Sequence, residues 1–145
     1  MKDRNREVPL DSNYSDIRWI QRFENFSKMM TDFEEELRHD TYTKLEMAGI
    51  IQLFNLSFDL AWKTMKDYLT YEGHEVNSPR SAIKTGYANG LIIEGEKWLE
   101  LLEKRNELTH VYDKAMATEA VEVIKERYAP LLVSLKAVFE ACVNR

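Results

Sequence analysis

The chain has 145 residues and a mass of 17.1 kDa, enough for one domain with a buried core. Its 20 Lys and Arg against 25 Asp and Glu leave a net charge of −5. That balance argues against holding duplex nucleic acid by bulk charge but leaves room for a small phosphate site.

Residues 1–14 are polar, carry Pro9 and read as a tail, leaving 15–145 as a single domain. A first helix is predicted to start near Ser15, an acceptable N-cap. Its Trp19, Phe23, Phe26, Met30, Phe33 and Leu37 follow a 4-3-4-3-4 spacing that marks one buried stripe. A second helix runs from about Thr43 to Glu72 and stops at Gly73. It is apolar around much of its circumference, through Ile50, Ile51, Leu53, Phe54, Phe58, Leu60, Trp62, Met65 and Leu69. Its remaining stripe is Gln52, Asn55, Asp59, Lys63, Asp67 and Thr70. That stripe reads as a solvated face with weak ion pairs, or else as the wall of a polar cleft; the small contribution of exposed pairs favours the first.

Ser78-Pro79 is an N-cap followed by proline at the first helical position, so a short helix covers about 79–88 and ends near Gly90. Another begins around Glu94 and carries Trp98, Leu101 and Leu102, and Thr118 is the expected cap of the last helix. Pro130 lies inside that last helix and should remove one backbone hydrogen bond and bend it. No strand alternation appears. Three long helices and two shorter ones define an all-α, antiparallel up-and-down bundle, expected to form a two-fold dimer. The single cysteine, Cys142, can build neither an internal disulfide nor a thiolate zinc site, and no metal triad, Walker loop or dinucleotide fingerprint appears. No metal and no cofactor is expected, although carboxylates leave magnesium open. No run of about 18 apolar residues could span a membrane, and the N-terminus has no secretory h-region. The expected location is cytoplasmic.

The chemistry concentrates in residues 103–113, EKRNELTHVYD. Continuing the apolar face of the fourth helix from Trp98 and Leu101 puts Arg105 where a leucine would fit, followed by Thr109 and Tyr112. A guanidinium on a core-facing position needs a partner. Asp59, Asp67 and Glu72 are the candidate carboxylates; the alternative is a cleft in which the planar fork meets an anion, a phosphate above all. His110 comes five residues after Arg105, so on an unbroken helix the two diverge by about 140°. They serve one site only if the helix ends or distorts between them, or if a second chain contributes. Asn106 and His110 are i,i+4 neighbours. His39 and His74 fall near helix ends and read as caps or surface residues, and Arg80 with Lys84 is a second candidate basic patch beside Lys104 and Arg105.

Arg105-Asn106, His110 and Tyr112 together resemble the RNxxxHxY motif of HEPN-domain proteins. The wider set RWIQRFENF (18–26), FDLAWKTMKDYLTYEG (58–73), SPRSAIKTGYANGLI (78–92) and WLELLEKRNELTHVYD (98–113) resembles their nucleotidyltransferase substrate-binding branch. The resemblance implies a helical bundle, a homodimer, and a partnership with a separate minimal nucleotidyltransferase. It implies a metal-independent, toxin-like endoribonuclease in which His110 moves a proton, Arg105 stabilises charge on the phosphate and Asn106 positions both, acting on RNA or a nucleotide. Tyr112 matches the tyrosine that a partner nucleotidyltransferase adenylylates in some toxin–antitoxin pairs. The alternative it implies is a non-catalytic substrate-binding subunit of a two-component nucleotidyltransferase.

Overall fold

The computed structural model describes the backbone of residues 8–144, and the side chains of 16–144 apart from Thr109. Its helices are α1 (Val8–Glu36), α2 (Lys44–Tyr71), α3 (Pro79–Ala88), α4 (Gly95–Thr109), α5 (Lys114–Val123) and α6 (Ala129–Val143), with a π-helical turn over Ile124–Tyr128 joining the last two. The described residues hold no strand, and no helix is long and apolar enough to cross a membrane. The expected all-α bundle is what forms.

Local chemistry sets most of the boundaries. Thr43 accepts a hydrogen bond from the Glu46 backbone at 3.1 Å while Glu46 accepts one from the Thr43 backbone at 2.7 Å, a capping box that opens α2. Gly73 ends it at φ 98°, a left-handed conformation that suits glycine. Ser78 caps α3 through the Ser81 backbone at 3.1 Å, and Glu94 precedes α4 as expected. Two boundaries differ from the sequence reading. Helix α1 begins at Val8, seven residues before Ser15, so only residues 1–7 of the expected tail lie outside the described residues. Asp113, not Thr118, caps α5, accepting from the Met116 backbone at 2.8 Å; the Thr118 hydroxyl instead donates to the Lys114 carbonyl inside the helix.

Pro130 has no N–H to give the carbonyl four residues back. The chain answers with a wide turn in which the Ala129 N–H reaches the Ile124 carbonyl, and the last long helix continues beyond it. Helix α2 is the spine, touching α1, α3, α4, α5 and α6. That explains why its apolar residues wrap so much of its surface: Phe54, Phe58, Ala61 and Met65 are fully buried among Phe26 and Phe33 of α1, Trp98 of α4, Tyr128 and Phe139.

Candidate functional site

The polar stripe of α2 meets three different fates, and they locate the site. Near its C-terminal end Asp67 is only 6% exposed and takes Arg22 Nε at 2.9 Å and Arg18 Nε at 3.7 Å, both from α1. In the middle, Asp59 pairs with Lys63 at 2.9 Å and accepts from the Trp62 indole at 3.3 Å. At the N-terminal end Gln52 and Asn55 line a groove against the segment that follows α4. The stripe is thus neither wholly solvated nor wholly a cleft wall.

None of the three carboxylates considered for Arg105 serves it. Asp67 and Asp59 are engaged as above, and Glu72 ends α2 as its C-cap. Half-buried Arg105 instead lies over the ring of Phe58, its Cζ 5.1 Å from the ring centroid. A guanidinium over an aromatic face is held by the ring quadrupole, which leaves its charge uncompensated. Among the described residues no carboxylate forms an ion pair with it. The result is a cation fixed in place on a buried aromatic platform.

Helix α4 ends at Thr109, and His110 leaves helical geometry at φ −97°, ψ 67°, its N–H bonding back to the Glu107 carbonyl at 3.2 Å. The redirection set by its ψ acts on Val111 and beyond, so the end of α4 does not by itself bring Arg105 and His110 onto one face. His110 and Asn106 are both exposed. The break also overturns the placement of Tyr112 on the continued apolar face: its ring is 81% exposed. Val111, Tyr112 and Asp113 turn across α2 instead and close a groove of about 240 Å³ with Lys44, Gln52 and Asn55. In the second candidate basic patch, Arg80 faces Glu103 at 3.6 Å, both side chains exposed.

A cluster that sequence reasoning missed lies on the other side of α4. Arg127 grips Glu100 with both Nε and Nη2, the latter at 2.8 Å, and the buried Tyr128 hydroxyl donates to the same carboxylate at 2.7 Å. The three groups edge a cavity of about 420 Å³ with Lys104, Glu107 and Leu108. No spacing rule links residues 100 and 127; the π turn aims Arg127 and Tyr128 together. The Arg127 fork, then the Tyr128 hydroxyl, hold Glu100 down at about 2, and burial with the bond to Glu100 pushes Tyr128 up to about 12.

The pH dependence follows. Below its ordinary 4.5 Glu100 is protonated first in the unfolded chain, so the trio's stabilisation is whole above about pH 4.5 and drains away towards about pH 2. Tyr128 ionises first in the unfolded chain, so on the alkaline side the contribution is whole below about pH 10 and is lost towards about 12. Thermal unfolding of the wild type and of Glu100→Gln should show a constant gap in Tm between those limits and a narrowing gap at about pH 3. An unchanged gap at the acid end would show that Glu100 is not the titrating group.

The family model described as nucleotidyltransferase substrate binding protein like matches residues 21–141. A crystal structure of a protein from Thermus thermophilus superposes with a TM-score of 0.68 at 24% sequence identity, covering 83% of this chain and 99% of that one, a likeness of fold. No curated protein matches the chain.

Proposed function

The chain belongs to the nucleotidyltransferase substrate binding protein-like family, and from that premise we propose that it is the non-catalytic subunit of a two-component nucleotidyltransferase. It holds the substrate while a separate nucleotidyltransferase chain carries the transfer. The observation behind this reading is Arg105, fixed over Phe58 with no carboxylate among the described residues to neutralise it. Such a group is a ready partner for a phosphate oxygen, and its planar fork suits a phosphate bidentately. The test is reconstitution: a minimal nucleotidyltransferase from the same genome should bind this chain and transfer nucleotide faster in its presence. An active nucleotidyltransferase indifferent to this chain would refute the reading.

The endoribonuclease reading ranks second, supported by the exposure of Asn106 and His110 at the end of α4. There Arg105 stabilises the phosphate, His110 moves a proton and Asn106 positions both, in a cleft completed by a second copy of the chain in a HEPN-like dimer. Cleavage of mixed RNA in the presence of a chelator, lost in His110→Ala, would establish it; intact RNA would dismiss it.

Tyr112 is the proposed modification site. Its exposed ring stands at the groove beside α2, open to a second protein. Incubation with the nucleotidyltransferase, ATP and magnesium should add adenylate to the wild type and leave Tyr112→Phe unmodified by mass spectrometry. Equal labelling of the Phe variant would place the acceptor elsewhere.

A further inference from the structure

We propose that the groove between the first half of α2 and residues 111–117 recognises the base of an adenine nucleotide, stacked on Tyr112 and read along its edge by Gln52 and Asn55. The proposal deepens the substrate-holding reading, and rests on it for the phosphate end of the same ligand.

The two carboxamides stand three residues apart on α2, so they are neighbours on one edge of the helix, and both line the groove. A carboxamide offers an acceptor beside a donor. The adenine edge presents an amino donor beside a ring-nitrogen acceptor, which that pattern matches bidentately; guanine presents two adjacent acceptors there and calls for an Arg or Lys. Asn55 makes no hydrogen bond within the described residues, and its Oδ1 is closed off from water. A side-chain amide kept unpartnered in a half-buried place is unfavourable. Its χ2 is a soft torsion, so a turn about that bond offers the oxygen to a ligand N–H.

Tyr112 supplies the face. Its ring makes no ring contact and no hydrogen bond among the described residues. Yet its backbone is tied down on both sides, since Val111 packs against the core and Asp113 caps α5. A large aromatic ring exposed on an anchored segment is a stacking platform. The cavity, about 240 Å³, is below the range of about 300–1,000 Å³ that encloses drug-sized ligands, so it admits a base and leaves ribose and phosphate outside. Asn55 and Phe58 are separated by about 4.5 Å of rise along α2, and Arg105 sits over Phe58. The groove and the ring that carries Arg105 thus lie about one turn apart along α2, and the proposal directs the 5′-phosphate of a bound nucleotide towards that guanidinium.

The experiment is a titration of the isotope-labelled full chain with AMP, adenosine, GMP and inorganic phosphate, followed by NMR of the side-chain amides and the Tyr112 ring. AMP and adenosine should shift the Gln52, Asn55 and Tyr112 signals, with GMP binding more weakly than AMP. Tyr112→Ala and Asn55→Leu should each weaken adenosine binding about tenfold or more, whereas Tyr112→Phe, which keeps the ring, should bind as the wild type does. Both positions are at the surface of the groove, and an otherwise unchanged amide spectrum verifies the fold of each variant. Adenosine that moves none of these signals, GMP that binds as well as AMP, or undiminished binding to Tyr112→Ala would overturn the proposal. Failure of the underlying reading looks different: adenosine then binds in the groove while Arg105→Ala leaves AMP affinity unchanged.

Discussion

Replacing Phe58 with alanine is expected to lower stability by about 3–5 kcal/mol and to loosen Arg105 in the same stroke. Phe58 is fully buried, packs against Trp98 with ring centroids 6.3 Å apart, and carries the Arg105 guanidinium 5.1 Å from its own centroid. Truncation leaves a cavity in the α2–α4 contact that the neighbouring helices can fill only in part. Chemical denaturation measures the first effect. The second is separable through Phe58→Leu, which keeps most of the volume and removes the ring, and with it a cation–π attraction of about 0.5–2 kcal/mol. Phosphate affinity should fall in Phe58→Leu and stay unchanged in Phe33→Ala, a comparably buried change on α1. Undiminished affinity in the leucine variant would show that the ring is packing alone.

The platform also shows where sequence reasoning stops. Periodicity identified Phe58 as a core residue and Arg105 as a misplaced charge, because each follows from the residues along its own helix. The pairing of the two depends on the register between α2 and α4, which no local spacing encodes, so three carboxylates stood as equal candidates where an aromatic ring was the answer. Asp67 has the same history: its partners Arg18 and Arg22 are 49 and 45 residues away on α1. Helix ends were legible where the cap is a local device, as at Thr43, Gly73 and Ser78. They were not where two good caps compete. Asp113 wins over Thr118 because the longer helix buries Ala117 as well as Ala120 and Val121. Nor did Pro9 stop α1, since a proline in the first turn lacks only an N–H that has no helical partner anyway. The angle between Arg105 and His110 left open a helix end, a distortion or a second chain; α4 does end at Thr109, where no capping residue signalled it.

The second large effect concerns Arg105 itself. In the reconstituted two-component reaction, Arg105→Ala should reduce kcat/KM by about 30-fold, the consequence of losing a charge-assisted contact of about 2 kcal/mol. Arg105→Lys should recover little of it. A lysine places a point charge on a flexible stem, without the fork for two phosphate oxygens and without the flat surface that rests on Phe58. The loss should appear in KM, with kcat nearly unchanged, because a subunit that holds the substrate stabilises ground state and transition state alike while the chemistry proceeds on the other chain. Raised salt should weaken the wild type only gently, since one half-buried cation is screened less than an exposed patch. A fall in kcat at constant KM would mean that Arg105 touches the transferring phosphoryl group, and the chain would then be part of the catalytic machinery and not its substrate holder.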